Sequence, residues 1–462
     1  MANAQAKFLE GNLLRHVTVM SMTASIGLMA VFLVDLVDMV FISMLGKEEL
    51  AAAVGYAGAI LFFTTSFSIG MAITAGALVA RALGQGDRQM AGRRAATSLL
   101  YGFVFACVFA AVVWMNLPFL AGLMGASGAT LDMAVQYLQI IIPSLPILLI
   151  GMVGGAILRA HGDARRSMMA TVLGGVVNAV LDPVLIFVLD LELVGAALAS
   201  VAARCTIAYL SLAPVIKVHK ALDKPTPAQF SLDLAAIVAI AAPAILTQLA
   251  TPIGQAVVVR SMAQFGEEAV AGMAIVGRLT PVAFGVIFAL SGAVGPIIGQ
   301  NFGAGQQDRV RRAFREGVLF AGAWVVLASA ILFLLRDPIA QLFNAEGMAL
   351  TLVFLFCGPL SMLFFFNGLL FVSNAAFNNL GHPFYSTLIN WGRNTIGTLP
   401  LVWAGAMLFG APGVLIGQAL GGVIFGLIAL RLGQRVMARG AEATPAPFAR
   451  QGRLMSVLHL RR

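Results

Sequence analysis

Residues 76–95 read GALVARALGQGDRQMAGRRA, and residues 295–313 read GPIIGQNFGAGQQDRVRRA. Each is the end of an apolar run, then a Gly-x-Gly turn, then a basic segment. Gly76 and Gly84 answer to Gly295 and Gly303 at an offset of 219 residues. Gly162 and Gly381 share that offset, and LGKEELAAA from Leu45 answers to FGEEAVAGM from Phe265 at 220. The chain is thus one unit written twice.

Working outward from the repeat, apolar segments fall at about 15–44, 51–80, 95–117, 130–157, 167–189, 194–216, 234–263, 269–299, 315–335, 348–377, 384–408 and 413–435. Each exceeds the ~20 residues that a bilayer helix needs. The fold class is therefore all-α and polytopic: twelve transmembrane helices in two six-helix bundles. Because the offset covers six helices, both copies have the same orientation, a parallel pseudo-two-fold repeat about the membrane normal. Secondary transporters often use this plan, with sites at the repeat interface. The expected domains are an N-terminal bundle (1–216), a linker (217–233), a C-terminal bundle (234–435) and a basic tail (436–462).

Composition agrees. The chain is 60% hydrophobic and 11% charged, with a mean hydropathy of +0.93. Soluble domains carry roughly a quarter charged residues. The 49 glycines suit close packing of membrane helices. The 31 Phe and 21 Met fit lipid-facing and packing positions, with some lining a soft, adaptable cavity.

The net charge of +9 is a topology signal. Of the 29 Lys and Arg, 23 fall in the even-numbered loops and termini, three on the opposite side (Lys47, Arg260, Arg336) and three inside spans (Arg204, Arg278, Arg393). Positive loops face the cytoplasm. The expected location is the cytoplasmic (inner) membrane, multi-pass, with both termini cytoplasmic. This distribution argues against nucleic acid as a partner. No cleavable signal peptide is expected, since the first apolar stretch is long enough to span.

Several function classes lack their residues. The three cysteines and five histidines are scattered, so no disulfide framework or His/Cys metal motif is indicated. No GxxxxGK[ST] motif provides for ATP, and no Ser/His/Asp or HExxH arrangement provides for hydrolysis. The expectation is a transporter, not an enzyme, with no cofactor beyond H+ or Na+ as coupling ion. A channel fits less well, being more naturally a symmetric oligomer of fewer spans.

Ionisable groups inside a span are functional candidates. Asp35 and Asp38 are three apart, and Asn178 and Asp182 four apart, so each pair shares a helix face. Pro183 frees the carbonyl of Ala179. Asp38 lies eight residues before Gly46, and Asp182 eight before Asp190. At ~1.5 Å per residue both sit about 12 Å below the outer surface, and Ser200 lies at a similar depth in the sixth span. A carboxyl group in a low-dielectric cavity favours its neutral form, and a second one nearby favours it further. Such a pair can take up a proton or Na+ outside and release it inside. The structural alternative is a hydrogen-bonded knot between helices. Asp35 could instead pair with an arginine. Arg204, Arg278 and Arg393 could neutralise an aspartate, attract an anion, or snorkel to the interface; Arg204, four residues after Ser200, could face the carboxylates.

These residues resemble the multidrug and toxic compound extrusion (MATE) transporters over about 12–435. The carriers are VDMVFISMLGKEELAAA (37–53), LRAHGDARRS (158–167), NAVLDPVLIF (178–187), GAALAS (195–200) and GQNFGAGQQDRVRRA (299–313). The resemblance implies two six-helix bundles and antiport of cationic or amphipathic organic compounds against H+ or Na+. It places the first-half cation site at Asp38, Asn178, Asp182 and Ser200, where the family often has threonine, with Na+ possible at Asp38, Asn178 and Asp182. Asp35 has no counterpart. One branch keeps acids in the seventh and tenth spans; here Gln248, Gln255, Asn367 and Asn374 stand in those spans, which resembles the DinF-like branch. The first span lacks proline, so a proline-kinked first helix is not expected. The competing readings are a lipid-linked precursor flippase of related fold, which needs cavity arginines, and a major facilitator transporter, whose loop pattern GQGDRQMAGRR echoes imperfectly. The expected partners are small organic substrates and lipid, and the expected state is a monomer.

Overall fold

The computed structural model describes residues 6–45 and 48–439; residues 440–462 of the basic tail lie outside the described residues. The first half runs through α1 (Leu13–Met44), α2 (Glu48–Gly84), α3 (Arg88–Met115), a short α4 (Leu117–Leu123), α5 (Gly128–Ile141), α6 (Leu145–Ala160), α7 (Ala164–Pro183) and α8 (Glu192–Lys217). The second half runs through α9 (Pro227–Ala263), α10 (Glu267–Gly303), α11 (Gln307–Leu334), a short α12 (Arg336–Leu342), α13 (Gly347–Leu355), α14 (Ser361–Leu363), α15 (Phe365–Leu380), α16 (Pro383–Gly392) and α17 (Leu399–Arg439). Among the described residues there is no strand.

The repeat is kept to the residue. α2, α3 and α4 begin and end 219 residues before α10, α11 and α12. Gly86 and Gly305, at the same place in the two basic turns, both have positive φ (76° and 72°), a conformation that favours glycine. This is why the Gly-x-Gly signature recurs.

Ten stretches are long and apolar enough to cross a membrane, or eleven when the pair Gly347–Leu363 and Phe365–Leu380, bent by 43°, is taken as one. The last stretch, Pro383–Ala438, is 56 residues long and is broken at Gly410, whose φ and ψ are 64° and −142°. The chain folds back there: Gly405 packs on Gly413, Gly417 on the Leu401 backbone, and Gly421 on the Gly397 backbone. Helices can approach that closely only where side chains are missing. Counting the two arms separately gives the twelve spans expected from the sequence.

Side-chain distribution is that of a membrane protein. On α3, small residues (Ala91, Ala95, Thr97, Gly102, Ala106, Ala110) are buried, while Phe105, Val108, Val112 and Met115 are exposed. Lipid is as apolar as leucine, so helices meet through small residues and leave large apolar ones outside.

The chain packs as two compact units. The first is Ile26–Leu83 with Asp87–Ala241; the second holds the described residues of Met1–Ser25, Gly84–Gly86 and Ala242–Arg462. This division departs from bundles of 1–216 and 234–435 at two helices. α1 begins in the second unit and ends in the first, and α9 does the reverse. Helix α9 also starts inside the expected linker. Thr226 and Gln229 cap each other's backbone N–H groups (3.4 and 3.1 Å), a reciprocal box with proline at the first helical position. Within the first unit, Asp233 of α9 is fully buried and paired with Arg94 (2.9 Å) and Arg93 (3.2 Å). The core of this unit is built around Leu117, Leu138, Ile141, Ile142 and Ile186; in the second unit Leu370, Phe377, Ile389 and Ala429 form a smaller cluster.

Candidate functional site

The polar residues of the first unit converge from four helices. Asp38 lies on α1, Asn178 and Asp182 on α7, Ser200 on α8 and Tyr137 on α5. Asn178 is the bridge: its Nδ2 donates to Asp38 Oδ1 at 2.9 Å and to Asp182 Oδ2 at 2.7 Å. The carboxyl groups of Asp38 and Asp182 are themselves in hydrogen-bond contact. Asp182 is fully buried, Asn178 nearly so, and Asp182 Oδ1 accepts no hydrogen bond. With Asp182 fully buried and Asp38 half-buried, two carboxyl groups this close disfavour both carrying charge without a cation between them. Helix α7 ends at Pro183 and passes into a π turn, Val184–Val188; such turns recur at functional sites.

Ser200 is half-buried and hydrogen-bonds Tyr137, which lies near enough to both aspartates to feel their charge. One turn further along each helix, Arg204 donates to the Ile141 carbonyl at 3.2 Å and to Ser144 Oγ at 2.8 Å. Those acceptors sit at the 3-10 turn Ile142–Ser144 that separates α5 from α6. Arg204 therefore bonds neither Asp35 nor Asp38; it ties the sixth span to the break in the fourth.

The structure thus brings Asp38, Asn178 and Asp182 into one cluster, with Ser200 joined through Tyr137. Asp35, one turn from Asp38, is exposed and makes no hydrogen bond or ion pair with a described residue. Arg278 is exposed on α10. Tyr137 and Ser144 were not singled out from the sequence. Their partners lie some 60 residues away, and only Pro143 beside them marks the break.

In the second unit the hydrogen-bonded residues of α15 and α16 are neutral. Asn390 Nδ2 donates to Asn374 Oδ1 at 3.2 Å, Ser386 Oγ to Asn378 Oδ1 at 3.3 Å, and Thr387 Oγ1 to the Pro243 carbonyl at 2.8 Å. Among the described residues no group of three His, Cys, Asp or Glu could hold a metal ion.

At the basic-loop end of the first unit, Asp163 caps α7 and holds Arg166 and His219, the latter at 3.0 Å. Burial opposes ionisation of Asp163, but hydrogen bonds from His219 and Arg166 outweigh it and hold its carboxyl below the usual range. The unfolded chain therefore binds a proton here more readily than the folded one. The stability that Asp163 contributes is complete above the ordinary aspartate range and is lost as pH falls below that range, through the lowered value of the folded protein. Asp163→Asn should lower the melting temperature near neutral pH, by an amount that shrinks as the pH is taken below the ordinary aspartate range. A difference that persists in acid would place the effect elsewhere.

The MatE family model matches residues 24–184 and again 243–404, the second match beginning 219 residues after the first, the offset read from the sequence. An FAD transporter of Shewanella oneidensis is 29% identical over 90% of this chain and 93% of its own. The multidrug export protein MepA of Staphylococcus aureus is 23% identical over 86% of this chain and 88% of its own. A mutant of the Vibrio cholerae MATE transporter VcmN superposes with a TM-score of 0.88 at 25% identity, over 93% of this chain and 98% of its own. With a two-fold family match covering most of its length and twelve spans in the arrangement described, the chain belongs to the MatE family of membrane transporters.

Proposed function

We propose that this chain is a secondary antiporter of the cytoplasmic membrane, with its basic loops in the cytoplasm, that exports amphipathic organic compounds in exchange for a cation held by Asp38 and Asp182. The observation that carries the proposal is the contact between the two carboxyl groups, bridged by Asn178. A shared proton holds α1 and α7 together. Once it leaves, two ionised carboxylates face each other in a low-dielectric site, where repulsion is strong, and the helices are driven apart. Since α1 begins in one unit and ends in the other, a shift at Asp38 is carried along a helix that belongs to both. Binding of cargo and binding of the cation thereby favour different states, which is the requirement for exchange.

H+ is favoured over Na+ on the same geometry. Asn178 points its N–H group at both carboxyl groups; an N–H donor cannot ligate Na+, which would need the amide oxygen turned inward instead. The relatives' names support an organic cargo: one is a multidrug export protein and another an FAD transporter. The test is efflux of ethidium and of riboflavin from proteoliposomes, driven by a pH gradient or a Na+ gradient in turn. A pH gradient alone should drive transport. Efflux of both dyes that responds to neither gradient would defeat the antiport reading.

A further inference from the structure

The residues just ahead of α1 are held in a socket of side chains. The Phe8 N–H donates to Gln300 Oε1 at 2.9 Å, and the Phe8 carbonyl accepts from Asn301 Nδ2 at 3.1 Å and from Arg309 Nη2 at 3.0 Å. Arg309 also donates to the Gly11 carbonyl at 3.3 Å, and its Nε steadies Asn301 by donating to Oδ1 at 2.9 Å. The Phe8 ring is 1% exposed and lies edge-on to His16 at 5.3 Å. Gly11, with a φ of 77°, turns the chain, and Asn12 Oδ1 then accepts from the Arg15 N–H at 3.0 Å to cap the helix. Residues at a chain end are poorly ordered unless tied down; here both backbone polar groups of Phe8 are tied.

The socket is not a by-product of the repeat. Gln300 and Asn301 lie in the last turn of α10 and Arg309 in the first turn of α11; at the 219-residue offset the first half has Arg81, Ala82 and Met90. Gln300 and Asn301 are fully buried, which is tolerable for amides only where they find partners. The counterpart of α1, helix α9, is fixed in the first unit by other means, the buried pair of Asp233 with Arg93 and Arg94. Each helix that passes from one unit into the other is thus fastened at its start.

Fastening has a mechanical consequence for α1, which is unbroken and has no proline. It starts in the second unit and continues into the first. Asp38 lies 25 residues beyond Leu13, about 37 Å along the axis. A stiff rod held at one end turns about that end, so movement of Asp38 against α7 tilts α1 about the Phe8 socket, and α10 and α11 bear the reaction. With its start loose, α1 would slide instead, and opening of the carboxyl pair would do no work on the second unit. We propose that Gln300, Asn301 and Arg309 are positioning residues that form the pivot of α1 and convert loss of the coupling cation into work on the second unit. The inference rests on the reading of Asp38 and Asp182 as the coupling pair and adds the element against which that pair acts.

The test compares two quantities: protons released when ethidium binds the purified protein, and gradient-driven ethidium efflux from proteoliposomes. Phe8→Ala, which empties the socket, should leave proton release unchanged and reduce efflux roughly 3- to 30-fold, the range for breaking a coupling contact remote from both ligands. Arg309→Gln leaves the ring buried, which protects the fold, and should reduce efflux by a smaller factor with proton release again unchanged. Covalent rescue separates a pivot from a merely stabilising contact. In a cysteine-free background, Phe8→Cys combined with Asn301→Cys should behave like Phe8→Ala when reduced, regain efflux when a short bifunctional methanethiosulfonate joins the two thiols, and lose it again in reductant. Unchanged efflux in both single variants, loss of proton release together with efflux, or a cross-link that fails to restore efflux would overturn the pivot. Ethidium binding by the unmodified protein without proton release would defeat the coupling pair instead, and the cross-link rescue, read on efflux alone, would still decide whether the start of α1 must be fastened.

Discussion

Asp38→Asn and Asp182→Asn should each give a protein that inserts and folds normally but moves no cargo against a gradient, with efflux at the level of empty vesicles. Asparagine is nearly isosteric with aspartate and can keep a hydrogen bond to Asn178. The knot between α1 and α7 is therefore preserved in outline, while the titrating group is lost. That separates the coupling role from the structural one. If the cluster only held helices together, the amide variants would transport normally and lose some stability. If it carries the cation, they retain stability and lose accumulation. Downhill exchange of cargo across vesicles without an ion gradient should survive, because binding of cargo does not need the pair. The check is to run gradient-driven efflux and passive exchange on the same preparations; equal loss of both would mean that the variants are merely misfolded.

The second large effect concerns stability. Asp233→Ala should cost about 3–5 kcal/mol, the range for removing one partner of a buried ion pair. Asp233 is fully buried, two guanidinium groups point at it, and Thr97 Oγ1 adds a hydrogen bond at 3.1 Å. Removing the carboxylate leaves Arg93 and Arg94 facing each other with no anion between them. Nearby, Tyr101 stacks on Phe230 at 4.2 Å and donates to its carbonyl at 2.9 Å, so the start of α9 has a second attachment and should loosen rather than detach. Thermal unfolding in detergent gives the magnitude, and the triple variant that also replaces Arg93 and Arg94 with Met should recover most of the loss. A change below about 1 kcal/mol, the scale of an exposed pair, would show that water reaches these groups.

Much of this was legible in the sequence, for identifiable reasons. Membrane spans announce themselves because every residue on them must tolerate lipid or close packing, and the repeat is visible because both copies keep the same turn glycines. Asp38, Asn178 and Asp182 could be picked out because ionisable groups are rare at that depth. Features that depend on contacts between distant segments were not legible. Tyr137 looks like any buried aromatic until Ser200 is seen beside it. By spacing alone Arg204 could face a carboxylate, yet the break between α5 and α6 offers it the Ile141 carbonyl and Ser144 Oγ instead. The start of α9 was obscured by Asp233 and the polar residues before it, which end a hydropathy window even though TPAQ at 226–229 is a capping signal. The exchange of α1 and α9 between the two units leaves no local trace at all.

Release of a cation on cargo binding is the most direct test of the coupling pair. Ethidium is added to purified protein in weakly buffered, Na+-containing solution while a pH indicator and a Na+ electrode are read together. The expected result is release of protons by the unmodified protein and none by Asp38→Asn or Asp182→Asn, although all three bind the dye. Proton release of the same size from the asparagine variants would contradict it, as would dye binding by the unmodified protein with no cation released.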